Sequence, residues 1–182
     1  MTSARLAVVA HNIRSTHNIG SIFRTCDGFG VDHLYLSGYS PYPRLMRDSR
    51  LPHIIERTTN DITKTSLGAE KTVMFSHVSH PQTIIDSHKA HGYEVIALEQ
   101  HDNSELISEI EFPHKALLVI GEEVGGISQE LLSKCTRIVE IPMFGQKESF
   151  NVSVATGIAL YALRTGIHTS IKNSQSSNSI SQ

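Results

Sequence analysis

The chain has no tryptophan, only two cysteines, six prolines and a 6% share of aromatic residues. Two thiols, Cys26 and Cys135, cannot build a disulfide framework and suit a reducing, cytoplasmic compartment. No apolar run approaches the ~20 residues of a bilayer span, so no membrane-spanning helix is expected. The opening MTSARLAVVAHNIRS has a short apolar run with neither a charged n-region nor a clean cleavage site, which argues against a secretory signal. Neither sign of charge dominates. Sixteen Lys and Arg against eighteen Asp and Glu leave a net charge of −2, so bulk charge does not draw the chain to nucleic acid, and only a local basic patch would. Eleven histidines let that charge rise as pH falls through about 6.5.

What is present suffices for one globular domain. The chain has 182 residues, 39% hydrophobic and 19% charged, which excludes bulk disorder. Short β-branched runs predict strands over 5–10 (RLAVVA), 33–37 (HLYLS), 72–77 (TVMFSH), 93–98 (YEVIAL), 116–121 (ALLVIG) and 137–141 (RIVEI). Apolar runs such as LLVI suit strands buried on both faces. Helical patterns lie between them, over 19–26, 81–91, 129–134 and 151–164, with Ser128 suited to cap the third. The alternation predicts an α/β fold with a mainly parallel sheet and helices on both faces. Segment 38–52 holds three prolines and no clean period, and reads as a long surface loop. From residue 170 the chain is almost entirely Ser, Asn, Gln and Lys, so a domain over 1–166 and a disordered polar tail over 167–182 are expected.

Several familiar chemistries are missing. GFG at 28–30 follows a helical pattern and precedes a strand, so it reads as a helix C-cap rather than a dinucleotide fingerprint. No G-x-x-x-x-G-K-[ST] phosphate loop occurs, which disfavours a small-molecule nucleotide-binding protein. His77 and His80 have no cysteine or carboxylate partners at ligand spacing, so they read as solvated loop histidines and no metal is expected.

Three stretches look like a site. In Asn18-Ile-Gly-Ser-Ile-Phe-Arg24, Asn18 can cap a helix, and Arg24 sits in an apolar stretch where it needs an anion or carbonyl partner. An internal salt bridge and a functional role are equally open for it. Gly121-Glu-Glu-Val-Gly-Gly-Ile127 follows the most apolar strand, where ligands of open α/β sheets bind. Its glycines admit close approach of a ligand, and its acidic residues equally suit a following helix N-terminus. The third stretch, IPMFGQKESFNVS from Ile141 to Ser153, joins a strand to a helix and carries two natural caps, Ser149 and Asn151, where one suffices.

Together the three stretches resemble the SpoU branch of the knotted SPOUT RNA methyltransferases. The resemblance rests on Asn18 and Arg24, on G-x-E-x-x-G at Gly121, Glu123 and Gly126, and on Ile141-Pro142-Met143 followed by SFNVSVA at 149–155. It extends from Arg5 to about Gly166, with Phe150 standing where Leu is commoner. It implies S-adenosylmethionine as methyl donor and the ribose 2′-hydroxyl of a tRNA or rRNA nucleotide as acceptor. It also implies a C-terminal trefoil knot and a homodimer. By position, Leu98, Gly121, Ile141, Met143 and Phe150 would line the cofactor pocket, and Asn18, Arg24, Glu123, Ser149 and Asn151 would form the catalytic group. The chain has no room for the separate RNA-binding domain that several members carry. Arg44, Arg47 and Arg50, with Arg57, Tyr39 and Tyr42 nearby, are the expected RNA contacts, since arginine grips phosphate and tyrosine stacks on bases. A non-catalytic RNA-binding module of the same fold is the alternative, and the intact catalytic set argues against it.

Overall fold

The computed structural model describes residues 5–111 and 113–177, with side chains described as far as Gly166. Among the described residues, the strands in chain order are Arg5–His11 (β1), His33–Ser37 (β2), Phe75–Val78 (β3), Glu94–Leu98 (β4), Glu105–Leu106 (β5), Lys115–Ile120 (β6) and Arg137–Glu140 (β7). The helices are Thr16–Gly28 (α1), Pro52–Ser66 (α2), Gln82–Ala90 (α3), Gln129–Leu132 (α4) and Val152–Ser177 (α5), with a 3₁₀ turn at Ala69–Lys71. No described helix is long and apolar enough to cross a membrane.

The sheet order is β3-β2-β1-β6-β4-β7-β5, and every neighbouring pair is parallel. Alternation along the central strands splits the core in two. Leu6, Val8 and Ala10 of β1, with Leu118 and Ile120 of β6, pack against Ile19, Ile22 and Phe23 of α1, Ile62 of α2 and Ala159, Leu160 and Leu163 of α5. Ala7, Val9, Leu117 and Val119 face the other way, onto Ile85 of α3 and Leu131 and Leu132 of α4. Each large side chain buried in this way contributes about 1.5–3 kcal/mol. The expected α/β class with helices on both faces therefore holds.

The local signals act much as the sequence predicts. Residues 28–30 end α1 in a Schellman arrangement: the Gly30 N–H donates to Asp27 O at 3.1 Å and the Val31 N–H to Cys26 O at 2.9 Å. Ser128 caps α4 by accepting the Leu131 N–H.

Four expectations change. Asn18 does not cap α1; Ser15 does, accepting the Asn18 N–H at 3.2 Å. The long loop stops at Leu51, because Pro52 opens α2, whose missing N–H costs nothing in a first turn. His77 is not a solvated loop residue: it lies in β3, stacks on Tyr42 with centroids 4.1 Å apart and hydrogen-bonds Gly38 O. Finally, α5 continues to Ser177, across the first part of the expected polar tail, with neither Pro nor Gly after Gly166 to stop it. Residues 178–182 of that tail lie outside the described residues.

Candidate active site at the carboxyl ends of the central strands

Register brings the ends of four strands level. Ala10 pairs with Ile120, Ile120 with Leu98, and Leu98 with Val139. The next residues along the four chains are His11, Gly121, Glu99 and Glu140, the first and last of them closing β1 and β7, and a cleft of about 280 Å³ opens over the last three. Its apolar wall is Leu98, Ile120, Ile141, Phe150, Val152 and Ala155. Five carboxylates, Glu99, Glu122, Glu123, Glu140 and Glu148, also line it, so it favours a ligand that carries positive charge. Gln100 Nε2 donates to Glu148 O at 2.7 Å and ties the 141–151 segment to the end of β4.

The glycines of the turn that borders the cleft are also required by the chain's own packing. Residues 121–126 close on themselves, with the Gly126 N–H donating to Glu122 O at 3.1 Å. A Cβ on Gly121 would lie 2.4 Å from Gly126 O, and one on Gly126, whose φ is +65°, 2.3 Å from Glu99 Oε2. Chain packs against chain here. Glu99 Oε2 also accepts the Ile127 N–H at 2.8 Å, so Glu99 holds the turn in place.

Beside the cleft three of the expected catalytic residues join. Asn18 Nδ2 donates to Glu123 Oε1 at 2.8 Å, and Asn18 Oδ1 accepts from Asn151 Nδ2 at 3.2 Å. Asn151 caps α5, its Oδ1 accepting the Ser153 N–H at 2.9 Å and the Ser153 hydroxyl at 2.7 Å. All three motifs thus meet through one amide side chain. Ser149 is exposed and lines the cleft.

Other expected residues sit differently. Leu98, Gly121, Ile141 and Phe150 line the cleft, but Met143 does not. Arg24 is exposed on α1, with no hydrogen bond or ion pair among the described residues, so the internal salt bridge is not formed. Arg44 and Arg47 are exposed on the long loop. Arg50 is instead consumed by the loop. It pairs with Asp48 at 2.6 Å, donates to Tyr42 O at 2.9 Å and Pro43 O at 3.2 Å, and lies 3.6 Å over the Tyr42 ring. That contact also occupies Tyr42, which stacks on His77. The Arg50 guanidinium holds the Asp48 carboxyl well below the usual carboxylate range.

Reading the residues alone missed a second cluster at the mouth of the cleft. Tyr39 Oη donates to Glu122 Oε2 at 2.7 Å, and Arg14 Nη2 stands 3.8 Å from the same oxygen. His11, at the end of β1, shares a hydrogen bond of 2.9 Å with Ser37 Oγ. Partial burial lowers the His11 pKa, with the Glu122 charge opposing. No local pattern marks these partners, since Tyr39 and Glu122 are 83 residues apart.

Comparison with known proteins places this arrangement. A tRNA (guanosine(18)-2'-O)-methyltransferase of Aquifex aeolicus is 33% identical over 156 residues, covering 86% of this chain and 67% of its own. A mouse tRNA (guanosine(18)-2'-O)-methyltransferase is 31% identical over 160 residues, of which this chain spans only 9% of the length. Among solved structures, the A. aeolicus TrmH/SpoU tRNA modifying enzyme superposes with a TM-score of 0.75 at 28% identity, covering 93% of this chain and 80% of that one. The SpoU methyltransferase AviRb of Streptomyces viridochromogenes, in complex with AdoMet, shares the fold with a TM-score of 0.73 at 24% identity over 94% of this chain and 60% of its own. The family model of the SpoU rRNA Methylase family matches residues 5–161, from β1 into α5 and through all three motifs, and the chain belongs to that family.

Proposed function

We propose that the protein transfers a methyl group from S-adenosylmethionine to the ribose 2′-hydroxyl of a nucleotide in tRNA or rRNA. The observation that carries this reading is the Asn18–Glu123–Asn151 network set against an apolar and acidic cleft. The A. aeolicus relative, by its name, acts on a tRNA guanosine 2′-oxygen.

The residues present fit the donor. Leu98, Ile141 and Phe150 offer apolar contact to an adenosine, the Gly121 turn offers backbone, and the carboxylates around them favour a cationic centre. When bound, S-adenosylmethionine supplies a methyl group already activated on a sulfonium. The protein's part is alignment and removal of the hydroxyl proton. Glu123 is the group assigned to that proton, because its carboxylate is held by Asn18 and not by Arg24. A guanidinium holds its protons too tightly to act as a base, so Arg24 serves as an electrostatic contact to the ribose or its phosphate. Ser149 and Asn151 supply hydrogen bonds beside it.

The reading includes a homodimer in the cytoplasm and a trefoil knot near the C-terminus. Two free thiols support the compartment. A groove between α1 and α5, lined by Gly28, Phe29, Val154, Gly157, Ile158 and Tyr161, supports the dimer. Tyr161 is 61% exposed there and Val154 49%. The return of the chain from β7, beyond β4, to seat α5 against α1 supports the knot. Exposed Arg44 and Arg47 remain the RNA contacts on the long loop, and Arg50 braces that loop.

The test is incubation of purified protein with methyl-labelled S-adenosylmethionine and bulk tRNA or rRNA, followed by nucleoside mass spectrometry. A labelled 2′-O-methylnucleoside is expected. Label in a base, or no transfer to either RNA, would overturn the reading. Light scattering at micromolar concentration tests the dimer.

A further inference from the structure

We propose that Arg14 holds an RNA phosphate next to the nucleotide being methylated, with Glu122 and Tyr39 as its positioning residues. The inference rests on the RNA methyltransferase reading above and adds the phosphate grip at that site.

Arg14 lies on the short loop between β1 and α1, four residues before Asn18. Its backbone N–H lies 3.5 Å from Glu123 Oε2, so the loop sits directly beside the catalytic network. Its guanidinium is tethered but not used up. Nη2 is 3.8 Å from Glu122 Oε2, too long for a direct hydrogen bond, and the side chain stays 72% exposed. The Tyr39 hydroxyl takes that oxygen first, at 2.7 Å. The carboxylate's other oxygen lies against the glycine turn, where a Cβ on Gly125 would come 2.5 Å from Glu122 Oε1. Glu122 and the Tyr39 hydroxyl, which also bonds the Arg14 side chain, therefore orient Arg14 and leave most of its N–H donors facing solvent. Arg50 makes the contrast: four of its five N–H donors are taken by Asp48, Tyr42 O and Pro43 O, which leaves no fork of two for a phosphate.

Charge gives the reason for such a residue. A phosphodiester that brings its ribose to Asn18 and Glu123 meets a cleft lined by five carboxylates. A fixed cation at the mouth offsets that repulsion. The planar guanidinium fork matches two phosphate oxygens at once, which a carboxylate-lined wall cannot do.

The experiment measures binding of bulk tRNA by filter retention between about 50 and 200 mM KCl, for the wild type, Arg14→Ala, Arg14→Lys and Lys71→Ala. Each lost phosphate contact makes the negative slope of log K against log salt shallower by about 0.7–0.9. Arg14→Ala is expected to make the slope shallower by about one and to weaken binding roughly tenfold. Arg14→Lys keeps the slope. Lys71→Ala, on the 3₁₀ turn ahead of β3, keeps it too. Tyr39→Phe removes the hydroxyl that touches both Arg14 and Glu122, leaves the whole Glu122 carboxylate to clamp Arg14 and gives an intermediate slope, with an unchanged melting temperature. S-adenosylhomocysteine binding, measured by calorimetry, stays at the wild-type value in Arg14→Ala. A wild-type slope in Arg14→Ala would overturn the proposal, as would loss of S-adenosylhomocysteine binding in that variant. A wild-type slope in Tyr39→Phe would remove Tyr39 from its positioning role. Methyl transfer by the wild type is followed on the same RNA. Its absence would overturn the methyltransferase reading while the slopes still decide whether Arg14 holds phosphate.

Discussion

Asn18 and Glu123, 105 residues apart, share a 2.8 Å hydrogen bond in which the amide nitrogen of Asn18 donates to the carboxylate. The amide oxygen of Asn18 accepts from Asn151, so the orientation of the Asn18 side chain is set from both ends. A carboxylate in that position is aimed by a neutral partner and keeps its charge free to accept a proton.

Replacing that partner by its acid tests the arrangement. Asn18→Asp removes the donor and sets two carboxylates face to face. A hydrogen bond to a charged group is worth about 1.5–3 kcal/mol, so kcat should fall roughly 10- to 100-fold. S-adenosylhomocysteine binding, followed by calorimetry, should change little, because Asn18 does not line the cleft. An unaltered kcat would contradict the role given to Asn18.

Arg50 and Arg47 should separate. Arg50→Ala strips the long loop of its hydrogen bonds to Asp48, Tyr42 O and Pro43 O and should lower stability by about 1–3 kcal/mol. Arg47→Ala should leave the melting temperature alone and weaken RNA binding. Denaturant titration and RNA binding of both variants check this; a loss of RNA affinity in Arg50→Ala without loss of stability would contradict it.

Gly20 offers a contest of sign. In an exposed helix, Gly→Ala stabilises by up to about 1 kcal/mol. Here a Cβ would lie 2.0 Å from Thr65 Oγ1 and 2.3 Å from Ile62 O, where α1 crosses α2. Overpacking against backbone should win and destabilise by about 1–3 kcal/mol. A higher melting temperature for Gly20→Ala would show that the crossing can open.

Two histidines should make the fold acid-sensitive. Burial lowers the pKa of His11, with Glu122 opposing, and of His33, with neighbouring His88 adding to the shift. The unfolded chain then binds more protons than the folded one as pH falls through about 6.5, so stability decreases in that direction. Chemical denaturation at pH 7.5, 6.5 and 5.5 measures this slope. His33→Gln should flatten it; an unchanged slope would move the effect to other groups.

The sheet was legible because its strands are buried on both faces, so LAVVA and ALLVI appear as unbroken apolar runs. Helix α2 was not, because its buried face is only Ile55, Ile62 and Ser66, too sparse for a period to show. The two-residue β5 has no pattern of its own and exists only by pairing with β7. At the site, motif resemblance pointed to Asn18, Glu123 and Asn151, but no spacing announces that Asn18 bridges the other two. Arg50 misled for the same reason: its acceptors include the carbonyls of Tyr42 and Pro43, and backbone acceptors leave no trace in side-chain composition. Arg14 was not legible because its anchor, Glu122, lies more than half the chain away in sequence and meets it only through the β1–β6 pairing.

The most direct measurement is methyl transfer to an RNA carrying a single 2′-deoxy substitution at the modified nucleotide, compared with the unsubstituted RNA. If Glu123 serves a ribose hydroxyl, the substituted RNA should bind with nearly the same affinity, since most contacts go to phosphates and bases, and should accept no methyl group. Continued methylation of the deoxy-substituted nucleotide would contradict the account.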